Sequence, residues 1–389
     1  MKDFKAIVSA YHKVDFTQRK AALATVVKVR GSSYRSPGAR MLITDDGRWV
    51  GSISGGCLEG DALRKARTVM SGNTPMTVTY DTREESNQNL GIGLGCNGVI
   101  DVLIEPLSAE DAHNPIAQFD SIINIKEPLA LATIFEGPGI AEKLLISHSE
   151  TLNNQFSNPA LAKLVSADLL KIFDSKQSSA RNYNVSGLSY DVFVELIQPS
   201  ISLIIFGGGF DARPVSELAK SLGWNVSITD ECVAHIVPIF FPTADKLSLC
   251  QREFIDRDFD IHPYTACVLM SHNYEYDRDV LKKLLKTATP YMGILGPRKR
   301  FDKMKLEFQQ DGIELSDFDL QRIHSPIGLD IGAEAPDEIA LSIISEILSK
   351  FTNRVGGFLK NLNGPIHQRD LNTDQVFKQS YMEASRSVK

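Results

Sequence analysis

The stretch from Ile201 to Phe206, followed without a break by Gly207-Gly208-Gly209-Phe210-Asp211-Ala212, restricts the fold of this chain more than any other. An almost wholly apolar, β-branched run suits a strand covered on both faces, as in a parallel sheet. Its continuation reads G-x-G-x-x-A, a tight turn in which the backbone approaches a phosphate before entering a helix. Ala212, Val215, Leu218, Ala219 and Leu222 then recur at helical spacing, with Pro214 tolerated in the first turn. Asn225 to Thr229 reads as the next strand and ends in Asp230, about where a carboxylate meets a ribose 2′-hydroxyl. Gly207, Gly209, Ala212 and Asp230 are therefore candidates for holding a phosphate or nucleotide.

Later elements place loops at the same edge. Thr265 to Met270 reads as a strand followed by Ser271-His272-Asn273-Tyr274. Tyr291 to Leu295 is another, followed by Gly296-Pro297-Arg298-Lys299-Arg300. Ligands of open parallel sheets lie at these carboxyl ends, which brings in His272 and Arg298. A polar loop residue and a solvated helix start are the alternative readings of the two. Ser325 to Gly332 forms a last constrained loop, and Pro336 opens a helix with Ile339, Ile343, Ile347 and Phe351 on one face.

Gln198-Pro199-Ser200 marks a boundary. It gives an N-terminal module over 1–198, a parallel-sheet domain over 199–351 and a polar tail over 352–389. In the N-terminal module, Asp3 to Lys13 reads as an amphipathic helix and Ala22 to Arg30 as a strand. The loop Gly31 to Arg40 offers Arg35 and Arg40 as donors for an anionic group. Met41 to Thr44 and Arg48 to Ile53 form a hairpin around Asp45-Asp46-Gly47. Ser54-Gly55-Gly56-Cys57-Leu58-Glu59 follows, leading into a helix marked by Leu58, Ala62, Leu63 and Val69. Gly55 and Gly56 place Cys57 at or near a helix N-terminus, whose amides attract anions and favour a thiolate. Such a thiolate is both a nucleophile and a soft metal ligand. A buried cysteine beside turn glycines is the alternative. A second glycine-rich turn, from Gly91 to Gly98, holds Gly95 and Cys96 between strands at Met76–Tyr80 and Val99–Pro106.

A weak repeat runs through this module. Ala22-Leu23-Ala24-Thr25 returns as Ala130-Leu131-Ala132-Thr133, and the segment Asp101 to Glu105 is echoed by Asp191 to Glu195. The match suggests two related α+β halves, 1–108 and 109–198. Neither glycine-cysteine turn recurs in the second. The expected fold class is thus α/β: an N-terminal α+β module with an internal duplication, then a Rossmann-type parallel-sheet domain.

The balance of 48 acidic against 42 basic residues, a formal charge of −6, argues against nucleic acid or an anionic membrane as the main partner. No apolar run is long enough to span a bilayer, and the first residues lack a signal-peptide pattern. Five scattered cysteines fit neither a zinc spacing nor a disulfide framework, so reduced thiols in a cytoplasm are expected.

Taken in order, these motifs resemble the XdhC/CoxI family of xanthine dehydrogenase accessory proteins over nearly everything up to about Lys350. The resemblance rests on Gly31 to Arg40, Ser54 to Glu59, Gly93-Leu94-Gly95-Cys96, Phe206 to Pro214, Ser271-His272-Asn273, Gly296-Pro297-Arg298 and Ser325 to Gly332. It implies a chaperone that binds molybdenum cofactor, as molybdopterin or its dinucleotide form. Such a protein shields the cofactor while a cysteine desulfurase helps install its terminal sulfido ligand. It then passes the cofactor to an apo-molybdoenzyme of the xanthine or aldehyde oxidase type. On this reading Cys57 and Cys96 face the metal or carry sulfur, in turns shaped by Gly55, Gly56 and Gly95. Arg35 and Arg40 neutralise charge, while Gly207, Gly209, Ala212, Asp230, His272 and Arg298 meet phosphate and any nucleotide. Asn97 and Phe210 stand where the family often has glycine and histidine. A homodimer is expected. The rival expectation is an NAD(P)-dependent oxidoreductase or an NAD-sensing module, although no Tyr-x-x-x-Lys pair follows the fingerprint.

Overall fold

The computed structural model describes residues 1–82, 98–111 and 114–363, with Asp256 as backbone only. Two compact units emerge, one built from Asp3–Gln198 and the other from residues 199–363.

In the first unit, strands β1 (Ala21–Gly31), β2 (Arg40–Thr44), β3 (Trp49–Gly51), β4 (Met76–Asp81) and β5 (Gly98–Leu107) form an antiparallel sheet in the order β3-β2-β1-β5-β4. Helix Glu59–Gly72 crosses one face, burying Ala62, Ala66, Val69 and Met70 against Ala22, Ala24 and Val26 of β1. A second sheet follows from β6 (Leu129–Glu136), β7 (Lys143–Ile146), β8 (Thr151–Asn154), β9 (Ser179–Val185) and β10 (Leu188–Ile197). Its order is β8-β7-β6-β10-β9, the first sheet over again, with helix Pro159–Ser175 in the matching place.

The correspondence extends to register. Leu23 pairs with Glu105, and Leu131 pairs with Glu195. The β1–β5 ladder skips Val27, and the β6–β10 ladder skips Phe135. A bulge leaves one residue unpaired and twists the strand locally. Both bulged residues turn inward, where Val27 and Phe135 share a buried cluster with Leu103 and Phe193. The two sheets thus meet through equivalent positions.

Two buried ion pairs cross between the halves with their signs exchanged. Arg40 of β2 pairs with Glu195 of β10, and Lys143 of β7 pairs with Glu105 of β5. Arg40 therefore does not offer its charge to a ligand, contrary to the expectation from its basic loop. Its guanidinium is buried against the rings of Phe4 and Phe119, at 4.7 and 4.9 Å from their centroids. Desolvating such a cation is costly unless a carboxylate is held against it, and Glu195 meets that need.

The second unit is a six-stranded parallel sheet: β11 (Ser202–Phe206), β12 (Asn225–Asp230), β13 (Lys246–Leu249), β14 (Thr265–Leu269), β15 (Tyr291–Ile294) and β16 (Ile323–His324). The order β13-β12-β11-β14-β15-β16 is the 3-2-1-4-5-6 arrangement of Rossmann domains. Leu203 and Ile205 face one apolar cluster, with helices Ala212–Ser221 and Pro336–Phe351. Ile204 and Phe206 face the other, with helices Tyr274–Leu284 and Arg298–Gln310. Burial on both sides is why β11 carries so few polar residues. Beyond Phe351, the segment to 363 exposes Val355, Phe358 and Leu359, so it is less polar than expected. Among the described residues, no helix is long and apolar enough to cross a membrane.

Candidate functional site

The first unit places its chemistry where β3 leaves the sheet. The strand ends at Gly51 rather than Ile53, because Gly51 has φ +89° and a Cβ there would lie 2.3 Å from the Arg40 carbonyl oxygen. The Ser52 amide donates to that oxygen at 3.0 Å, and in the second half the Gln155 amide donates to Lys143 in the same way at 2.8 Å. From there the halves diverge. Gln155 precedes the cap of its helix, Asn158, by three positions, whereas Ser52 precedes Leu58 by six. The extra length is the Gly-Gly-Cys turn.

Asn158 caps its helix by accepting from the amides of Ala160 and Leu161. Leu58 has no side chain that can do so. The turn is held instead by Ser54 and Glu59. The Ser54 hydroxyl oxygen accepts from Gly56 N at 3.2 Å and Leu58 N at 3.0 Å. The buried Glu59 carboxylate accepts from the Ser52 hydroxyl at 2.7 Å, Ser54 N at 2.9 Å, the Ser54 hydroxyl and Leu58 N at 3.2 Å. Burial opposes its ionisation, yet these donors together hold its pKa below the ordinary glutamate range. Gly56 has φ +109°, a left-handed conformation that suits glycine. Cys57 is half-buried in this turn, just ahead of the helix. Among the described residues, the amides of Cys57, Gly60 and Asp61 have no protein acceptor. A thiol, a helix N-terminus and open amides therefore coincide.

The basic loop lies alongside. A Cβ on Gly55 would sit 3.3 Å from the ring of Tyr34, a side chain otherwise exposed. Arg35 reaches Asp3 in a partly exposed ion pair; such pairs are weak enough for an incoming anion to compete. Gly98, paired with Gly31, is the first described residue of β5. Gly95 and Cys96 lie outside the described residues.

The second unit gathers its loops at the carboxyl ends of β11 and β14, where the strand order reverses. Gly207, at φ +121°, passes so near that strand end that a Cβ would lie 2.5 Å from Ser271 Cα. Gly209 faces the His272 ring, 3.6 Å from where its Cβ would be. Among the described residues, the amides of Gly209, Phe210 and Asp211 have no protein acceptor, and they lead directly into the helix at Ala212. Open amides at a helix start suit an anion. His272 has φ +60°, and its Nε2 lies 3.3 Å from an Asp211 carboxylate oxygen.

Asp230 departs from its expected role. Its carboxylate is buried, accepting from Gly208 N and Cys232 N, each at 2.8 Å, and meeting His235 Nδ1 at 2.9 Å. It braces the glycine-rich turn from below, and a ribose would have to displace these partners. Arg298 stands exposed at the start of its helix, while Arg300 turns back to the buried Asp277 at 2.7 Å. Burial pushes the Asp277 carboxyl above its ordinary pKa, against the donors from Ser271 and Arg300. One residue escaped the sequence reading. Arg213 lies 3.8 Å over the Phe240 ring and 5.3 Å from that of Phe210, with no ion pair among the described residues and a buried Nε lacking a partner. The available signal was its place, directly after the fingerprint alanine. Among the described residues, no three His, Cys, Asp or Glu side chains converge as a metal site.

By fold, this is a Rossmann-domain protein carrying a twofold-repeated antiparallel module ahead of that domain. Residues 203–347 match the family model described as XdhC Rossmann domain, and residues 17–81 match the model of the XdhC and CoxI family. A Bacillus subtilis (strain 168) protein described as a probable xanthine dehydrogenase subunit is 30% identical over 333 residues, 85% of this chain and 93% of that one. The chain belongs to the XdhC and CoxI family. The molybdenum cofactor insertion chaperone PaoD of Escherichia coli (strain K12) is 22% identical over 329 residues, 85% of this chain and 83% of PaoD. A Bacillus halodurans crystal structure described as a xanthine dehydrogenase superposes with a TM-score of 0.72 at 29% identity. It covers 91% of this chain and 97% of that one.

Proposed function

We propose that this chain is a maturation factor that carries molybdenum cofactor to a xanthine dehydrogenase-type enzyme, without catalysing a reaction of its own. The observation that carries the reading is the Gly-Gly-Cys insertion. It adds a half-exposed thiol and open amides to one copy of a turn that the other copy closes with a plain asparagine cap. The likeness to PaoD supports the same cargo. As cargo, the cofactor brings an anionic phosphate and a thiophilic metal. Cys57 suits the metal or a transferable sulfur, with Cys96 as its proposed companion. The amides of Gly209 to Asp211, with Arg213, suit the phosphate. Asp230 braces that cradle rather than reading a ribose, which favours the molybdopterin form over NAD(P) as ligand. Acceptance of sulfur from a cysteine desulfurase, residence in the cytoplasm and assembly as a homodimer belong to the same proposal.

Mass spectrometry of gently purified protein tests it. Molybdenum with a pterin, lost on Cys57→Ala, is the expected result. NAD or NADP alone would favour the rival reading, which draws on the 3-2-1-4-5-6 sheet.

A further inference from the structure

We propose that Glu59 is a positioning residue for Cys57: its carboxylate fixes the turn from Ser54 to Leu58 and so sets where the thiol points. This inference rests on the reading of Cys57 as the residue that faces the cargo. Three observations carry it.

The first is the donor set. Glu59 is 4% exposed, and both its oxygens are used within the turn, by Ser52, Ser54 and Leu58. These contacts bracket Cys57 on both sides in sequence. A residue held between fixed amides on either side has the direction of its Cα–Cβ bond set by them.

The second is the repeat. Leu58 and Asn158 occupy equivalent cap positions, since Ala62 N donates to Leu58 O as Ala162 N donates to Asn158 O. The residue after the cap is Glu59 in one half and Pro159 in the other. The carboxylate is therefore found only in the copy that has the cysteine. The helix packing is common to both halves and does not need it.

The third is what Glu59 leaves open. An asparagine at the cap would consume amides at the helix start, as Asn158 does. Glu59 braces the turn from its inner side instead, so the amides of Cys57, Gly60 and Asp61 stay unfilled. Rigidity is gained without closing the anion-attracting end of the helix.

The test uses the full chain with Glu59→Gln, which keeps the size but puts an amide N–H₂ at one of the two oxygen positions, so that either Ser54 N or Leu58 N faces a donor instead of an acceptor. Each cysteine is followed by iodoacetamide alkylation at about pH 8, and retained molybdenum and pterin are measured on the same preparations. The expected result is a Cys57 alkylation rate raised by roughly threefold or more, from a loosened turn, together with reduced retention. Buried Cys250 and Cys267 should stay unreacted, as in the wild type. An unchanged Cys57 rate in folded Glu59→Gln overturns the proposal. An unfolding midpoint of the first unit lowered as far as by a core truncation overturns it too, because Glu59 would then be a general packing element. If Glu59→Gln does not fold, Ser52→Ala removes one donor and should raise the Cys57 rate by a smaller factor; no rise there overturns the proposal equally. Wild-type protein without cofactor would sink the carrier reading alone, because the alkylation rates of wild type and Glu59→Gln are compared on cofactor-free protein as well.

Discussion

Arg40 and Glu195 lie 155 positions apart in sequence and form a buried ion pair, which Lys143 and Glu105 repeat with the halves exchanged. Each half contributes one cation and one carboxylate, so neither half satisfies its own charges. The pairs tie the duplicated sheets into one unit.

Arg40→Met should therefore destabilise the first unit by ~3–5 kcal/mol, because it strands the Glu195 carboxylate in the interior. Lys143→Met should do the same to Glu105. Chemical unfolding curves measure both. The double variant Arg40→Met/Glu195→Leu should recover most of the loss, and a double variant as weak as the single one would show that something other than the stranded charge is responsible.

Two glycines of the proposed phosphate cradle should separate folding from binding. Gly207→Ala puts a methyl 2.5 Å from Ser271 Cα at a left-handed φ, so it should lower stability by a few kcal/mol, on the order of 2–4. Gly209→Ala meets only the His272 ring at an ordinary 3.6 Å and should fold normally. On the proposed reading it should nonetheless retain less cofactor, because the methyl narrows the space beside the open amides of Gly209 to Asp211. Unfolding midpoints and bound phosphate, measured on both, distinguish the two effects.

Acid should loosen the second unit through Glu346. Burial opposes its charge, but His324, the Tyr291 hydroxyl at 2.6 Å and Gly328 N at 2.8 Å hold its pKa below the ordinary value. A depressed folded pKa contributes stability above the unfolded-state value of about 4.3, and that contribution is lost as pH falls through the folded one. Thermal melts taken downward from about pH 5 should fall less steeply for Glu346→Gln than for the wild type. Parallel slopes would remove Glu346 from the acid response.

The described thiols should divide by burial. Burial pushes the Cys250 thiol up to about 11 and the Cys267 thiol up to about 12. In folded protein near neutral pH, alkylation should reach half-buried Cys57 and exposed Cys232 and spare the other two. Peptide mass mapping after a short exposure checks this.

What the sequence disclosed follows from how locally each feature is determined. β11 was readable because a central parallel strand needs apolar residues on both faces, and its glycine turn needs fixed spacing. The repeat was visible in Ala22–Thr25 and Ala130–Thr133 because those strands keep one register against Glu105 and Glu195. The role of Arg40 was hidden, since its partner belongs to the other half and a basic loop looks the same from sequence either way. Asp230 was found at the right place but with its oxygens already engaged, a matter of where Cys232 and His235 fold back. Glu59 adjoined the cysteine motif all along. Its function depends on a carboxylate curling beneath its own turn, and no spacing rule encodes that.

The three-residue excess between Ser52 and Leu58 makes this molecule its own reference state. Trimming that loop to the length found between Gln155 and Asn158, with an asparagine installed as cap, should return the first half to a form its sibling already tolerates. Such a shortened chain would separate what the common scaffold supplies from the role proposed for the Gly-Gly-Cys turn.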